Sequence, residues 1–228
     1  MGNKAQQAAA ELDWRGAVPV SRRFGDPYFS LEGGLAETRH VFLDGNGLPE
    51  RFRDGFHIVE LGFGSGLNLV AALRLWRSSG QAGRLRYTGF EAFPMTAEQM
   101  ARALATFPEL AVDAAPILAA RRAGTWWIET PGLAAEIVPG DARVTLPAWK
   151  GRADAWFLDG FAPARNPELW GADILSEVAR HTAPGGSFAT YTAAGHVRRA
   201  LADAGFAVVR APGYGRKRHM TRGRLERA

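Results

Sequence analysis

Glu60-Leu61-Gly62-Phe63-Gly64-Ser65-Gly66 closes a hydrophobic stretch and carries the most legible chemistry in this 228-residue chain. Glycines let a backbone turn tightly and approach a ligand closely. The dinucleotide fingerprint G-x-G-x-x-G needs its third glycine at position 67, where Leu67 stands. The spacing here is G-x-G-x-G, with an acid two residues before it. A pyrophosphate seeks helix N-termini and few acids. The zwitterionic amino-acid end and cationic sulfonium of S-adenosylmethionine tolerate Glu60. The expectation is an S-adenosylmethionine site built on Glu60, Gly62, Gly64 and Gly66, and not a nicotinamide site.

Three acids follow at the ends of later hydrophobic runs. Glu91 is placed to accept hydrogen bonds from both ribose hydroxyls; without the glycine loop it would read as an exposed strand-end carboxylate. Asp141, in Pro139-Gly140-Asp141-Ala142, suits an adenine amine and a turn or helix N-cap equally well. Asp159 ends Asp154-Ala155-Trp156-Phe157-Leu158-Asp159, followed by Gly160-Phe161-Ala162-Pro163. It emerges where a transferred methyl should point. Displacement at a sulfonium methyl needs positioning and a free lone pair more than a strong base. A carboxylate there would orient an amine acceptor and take its proton, and Phe161 would stack on a base. The competing reading is a strand-end acid capping the next turn, with Phe161 in the core.

The elements that must hold these groups alternate. Strands are expected at Phe56 to Leu61, Leu85 to Phe90, Trp126 to Glu129, Ala134 to Val138, Ala155 to Leu158, Ser187 to Tyr191 and Ala207 to Arg210. Helices are expected at Leu67 to Trp76, Thr96 to Thr106 (Thr96 and Gln99 forming a capping box), Glu168 to His181 and Gly195 to Ala204. Arg218 to Leu225 reads as an edge strand. The fold class is therefore α/β, a doubly wound and mostly parallel sheet with helices on both faces. Ligands of such sheets bind beyond the carboxyl ends of the strands. Residues 1–54 break the alternation and predict a short, strand-rich N-terminal extension packed on the core of residues 55–228, in one structural domain.

Composition narrows the chemistry. Hydrophobic residues make up 46% and charged residues 22%, ordinary for a soluble globular chain. There is no apolar run of about 18 residues and no apolar stretch in Met1 to Ala10, so no membrane span or secretory signal is expected, and the expected location is cytoplasmic. The chain has no cysteine, which excludes disulfides, thiolate metal sites and a cysteine nucleophile that adds to a pyrimidine ring. His40, His57, His181, His196 and His219 show no ligand spacing, so no metal is expected. Of the net +5, the last nineteen residues hold seven basic side chains against the single acid Glu226. Localised positive charge points to a polyanion or to a solvated terminus. A small-molecule N-methyltransferase is the alternative reading, and the basic terminus argues against it.

Phe56 to Asn68, Gly89-Phe90-Glu91-Ala92-Phe93-Pro94, Asp154 to Trp170 and Gly213-Tyr214-Gly215-Arg216-Lys217-Arg218 together resemble the tRNA 5-methylaminomethyl-2-thiouridine methyltransferases. Asp26-Pro27-Tyr28-Phe29-Ser30 and Glu37-Thr38-Arg39 also look like motifs of that family, and the likeness runs from about Val20 to Met220. The resemblance implies a class I, Rossmann-like methyltransferase that methylates the amine of 5-aminomethyl-(2-thio)uridine at the tRNA wobble position. It implies that Gly62, Gly64, Asn68 and Glu91 hold the cofactor, with Asp141 at the adenine and Tyr28 and Ser30 closing over it. Asp159 and Phe161 would face the acceptor, and Arg165, Arg198, Arg199, Arg216, Lys217 and Arg218 would meet the tRNA near its anticodon. Fused members of the family carry a second, flavin-dependent oxidoreductase domain. Nothing after Met220 would build one, so that partner activity is expected from a separate chain or a removed domain.

Overall fold

The computed structural model describes residues 9–226. A hairpin of β1 (Leu12–Arg15) and β2 (Val18–Ser21) is followed by an irregular stretch and by α1 (Gly34–Thr38), which runs on through a wide turn at Arg39–Leu43. The alternating part comprises β3 (His57–Leu61), α2 (Leu67–Ser78), β4 (Leu85–Glu91), α3 (Ala97–Leu104), α4 (Ala111–Arg122), β5 (Trp127–Thr130), β6 (Leu133–Pro139), α5 (Ala142–Ala148) and β7 (Ala153–Leu158). It continues with a short turn of helix at Pro167–Trp170, α6 (Ala172–Arg180), β8 (Thr182–Thr190), α7 (Gly195–Asp203), β9 (Phe206–Pro212) and β10 (His219–Leu225).

The eight-stranded sheet has the order β5-β6-β4-β3-β7-β8-β10-β9. Strands β6, β4, β3, β7 and β8 run parallel; β5 and β10 pair antiparallel to their neighbours. Every residue of β3 is buried, as a central parallel strand requires. Side-chain alternation divides the core into two layers. Ile58, Tyr87 and Phe157 pack with α2 and α4, and Val59, Phe90, Trp156 and Leu158 pack with α6 and α7.

Three expectations need correction. Strand β10 is not an edge: it lies between β8 and β9, so β9 is the edge. Its outward Arg222 and Arg224 give it a polar face that imitates an edge, while Thr221 and Gly223 are buried. The extension is strand-rich only as far as Ser21 and is helical from Gly34. Helices α4 and α5 have no counterpart among the expected elements, because Pro116 and Pro147 interrupt their patterns.

The extension shares the main core through Leu35, Val41, Phe42, Leu43, Leu48 and Phe52. The Arg51 guanidinium fastens it to the sheet. It donates to the backbone oxygens of Asn46 at 2.8 Å and Asp154 at 2.9 Å, and to the Ser187 hydroxyl. Among the described residues no single helix is long and apolar enough to cross a membrane.

Candidate active site

The strand order reverses between β3 and β7, and the carboxyl ends of β3, β4, β6 and β7 open into a cavity of about 500 Å³. Small-molecule sites span about 300–1,000 Å³. The extension supplies much of the opposite wall, from Phe24 through Leu31 and from Gly34 to Thr38.

At one end the chain turns so closely that only glycine fits. Gly62 has φ +85°, and a Cβ there would lie 2.4 Å from the backbone oxygen of Asp159. Gly64 has φ +54°, and its Cβ would lie 2.9 Å from the Tyr28 ring. Glu91 receives the Gly64 N–H at 2.7 Å and the Phe93 N–H at 2.8 Å. Burial pushes its carboxyl above the usual carboxylate range, with these amides pulling the other way. Each oxygen keeps lone-pair capacity for a ribose hydroxyl. The glycine cradle, the β4 acid and the cavity size fit S-adenosylmethionine.

Asp159 stands beside this turn, at the end of β7. Asn68 Nδ2 donates to its Oδ2 at 2.8 Å, and the Gly160 N–H donates to its Oδ1 at 2.9 Å. Burial pushes its carboxyl up to about 7, against the pull of those two donors. Asn68 is held from both sides. It donates to Glu60 Oε1 at 2.6 Å, and its own Oδ1 accepts the Thr38 hydroxyl at 2.8 Å. Thr38 thereby fixes the amide so that its NH2 bridges the two carboxyls.

Tyr28, Ser30, Gly62, Gly64, Asn68, Glu91, Asp159 and Phe161 all lie on the cavity wall. Three other expected cofactor residues do not. Glu60 is fully buried beneath Asn68 and accepts the Tyr87 hydroxyl at 2.5 Å, so it supports the site from behind. Gly66 starts α2 with φ +80°, and its open side is filled by Phe63 and Met100. Asp141 is the N-cap of α5: it accepts the Arg143 N–H at 2.9 Å and pairs with the Arg143 guanidinium at 2.6 Å. Its carboxylate thus serves that cation and helix terminus, and Gly140 and Ala142 lie on the wall at that corner.

Phe161 already has aromatic neighbours. The Phe24 ring stacks on it at 4.6 Å, and Tyr28 meets it edge-on at 4.9 Å. Asp26 pins the same loop by accepting the Ala162 N–H at 2.8 Å. Tyr191 lines the cavity beside Asp159, its hydroxyl donating to the Gly160 oxygen at 2.7 Å. Asp26, Glu37, Thr38 and Tyr191 had no assigned role from sequence. The first three sit in motifs that the resemblance singled out, whereas Tyr191 ends a strand and carries no local signal.

The expected basic residues divide into two groups. Arg216 and Lys217 are at the cavity mouth, where they pair with Glu32 at 2.8 Å and Glu37 at 2.7 Å. Arg165, Arg199 and Arg218 are exposed, and Arg198 is half-buried. Desolvation, and then the charges of Arg210, Arg218 and Arg198, hold the His219 imidazole below the usual range.

A family model described as S-adenosyl-L-methionine-dependent methyltransferase matches residues 114–226. The protein is an S-adenosylmethionine-dependent methyltransferase, with the mostly parallel sheet of that class. Its sequence is 48% identical over 221 residues to the tRNA 5-methylaminomethyl-2-thiouridine biosynthesis bifunctional protein MnmC of Caulobacter vibrioides, covering 92% of this chain and 37% of the relative. It is 46% identical to the protein of the same name from Pseudomonas aeruginosa, covering 94% and 35%. The crystal structure of MnmC2 from Aquifex aeolicus superposes with a TM-score of 0.74 at 26% identity, covering 98% of this chain and 73% of that one. The chain belongs to the same methyltransferase family as these proteins, and it spans just over a third of the length of the curated relatives.

Proposed function

We propose that the chain methylates the amine of 5-aminomethyl-(2-thio)uridine at the wobble position of tRNA, giving 5-methylaminomethyl-(2-thio)uridine. S-adenosylmethionine, bound along Gly62, Gly64 and Glu91, supplies an electrophilic methyl group on its sulfonium. The observation that carries the reading is Asp159: a carboxyl poised near 7, on the same cavity wall as the glycine cradle. An alkylamine is protonated in water and has no free lone pair. The Asp159 carboxylate would take one ammonium proton, leaving on nitrogen the free pair that attack on a bound sulfonium methyl would require, and the electrons of the C–S bond would stay on sulfur. The secondary amine leaves as an ammonium. Asn68 and Gly160 hold the carboxylate in place throughout.

The substrate assignment draws on the printed names of the relatives and on the exposed cations Arg165, Arg199 and Arg218, with Arg198 beside them. Such residues position a phosphate backbone without reading its sequence. The relatives are bifunctional, so an oxidoreductase activity on the same pathway would come from another domain or chain. The test is incubation with labelled S-adenosylmethionine and tRNA that carries 5-aminomethyl-2-thiouridine. Label in 5-methylaminomethyl-2-thiouridine supports the reading. Transfer to small amines but never to tRNA supports a small-molecule enzyme instead.

A further inference from the structure

Lys217 folds back into the cavity mouth. Its Nζ lies 2.7 Å from Glu37 Oε1 and 4.0 Å from the centroid of the Tyr191 ring. The Glu37 side chain is 13% exposed, against 45% for Lys217, so the carboxylate belongs to the wall and the lysine is the visitor. The Tyr191 hydroxyl donates to the Gly160 oxygen, which fixes the ring beside the Asp159 turn. An alkylammonium is thus already held by a carboxylate and an aromatic face, the pair that recognises such cations. The terminal CH2–NH3+ of lysine is the same chemical group as a protonated aminomethyl substituent.

We propose that Glu37 and the Tyr191 face form the receptor for the acceptor's alkylammonium group, and that Lys217 is its internal occupant until substrate arrives. The proposal rests on the amine-methylation reading above for the identity of that acceptor. Asp159, Glu37, Tyr191 and Lys217 line one cavity, so an ammonium seated on Glu37 and Tyr191 is delivered to the wall that carries the proton acceptor. Displaced, Lys217 joins Arg216 at the mouth, where a phosphate would compete for both. The ion pair seen here is then an exchange site as well as a tie between the extension and the β9–β10 loop.

The test needs no turnover. n-Butylammonium is titrated into the full chain saturated with S-adenosylhomocysteine, with n-butanol as the neutral control. Lys217→Met removes the internal competitor and should tighten n-butylammonium about tenfold; Glu37→Gln removes the receptor and should weaken it about tenfold. A merely structural ion pair predicts that both variants shift affinity in the same direction or not at all, and either result overturns the proposal. On tRNA, Glu37→Gln should raise KM for the aminomethyl substrate more than it lowers kcat. If the unmodified chain transfers no methyl to tRNA, the substrate reading fails and the n-butylammonium pair alone decides the receptor.

Discussion

Asp159→Asn should make the protein inactive and should gain stability relative to the parent as pH rises from 5 to 8. The carboxyl is raised from 3.8 to about 7 in the folded state by burial. A raised carboxyl means that the folded chain binds a proton which the unfolded chain has already released. Stability therefore falls as pH rises from about 4 to about 7 and is level above that. At about 1.36 kcal/mol per pH unit, the interval from pH 5 to pH 8 carries at most about 2.7 kcal/mol. The carboxyl borders an open cavity, and solvent there reduces the working figure to about 1–2 kcal/mol. Asparagine keeps the shape and removes the titration. Its NH2 meets either the Asn68 amide or the Gly160 N–H, a pH-independent cost of about 1–3 kcal/mol. Urea unfolding of both forms at pH 5 and pH 8 isolates the titration, because the amide cost cancels in the difference. The variant should gain about 1–2 kcal/mol relative to the parent between the two pH values. A difference that is the same at pH 5 and pH 8 would refute a carboxyl held protonated by burial.

Other expectations follow from the same geometry. Glu91→Gln places an NH2 against the Gly64 or Phe93 N–H and should weaken S-adenosylhomocysteine binding about 10–100-fold by calorimetry. Gly62→Ala must put a Cβ 2.4 Å from a backbone oxygen at φ +85°, and should cost about 2–4 kcal/mol in denaturant unfolding. Replacing Arg198, Arg199 and Arg218 together by alanine should lower the salt slope of tRNA binding by about 0.7–0.9 for each phosphate no longer neutralised, with S-adenosylhomocysteine affinity unchanged.

That Gly62, Gly64 and Glu91 line the cavity was legible because the signal is local. Gly62, Gly64 and Glu91 sit at strand ends, where a hydrophobic run and a turn mark the position directly. Asp159 was legible for the same reason. The rest depends on where individual side chains turn and on contacts between distant segments. Whether Asp141 faces adenine or caps a helix turns on Arg143, two residues away, and sequence left the two readings equal. Glu60 looked like a ligand because it stands next to the glycine loop, but strand alternation sends its side chain behind the wall, to Tyr87 and Asn68. The partners Thr38–Asn68, Asp26–Ala162 and Glu37–Lys217 are separated by 30, 136 and 180 residues, and no spacing rule reaches that far. In the fold, β3 and β7 were plain from their apolar runs. The place of β10 inside the sheet follows from the β9–β10 hairpin, which returns β10 against β8, and periodicity does not encode that.

The central claim is amine methylation of a tRNA wobble uridine through Asp159. Its most direct measurement follows labelled methyl from S-adenosylmethionine into tRNA bearing 5-aminomethyl-2-thiouridine, with nucleosides separated after digestion, for the parent and for Asp159→Asn. The account predicts label in 5-methylaminomethyl-2-thiouridine with the parent and none with the variant, while the variant still binds S-adenosylhomocysteine. Label in any other nucleoside, or undiminished transfer by Asp159→Asn, would contradict it.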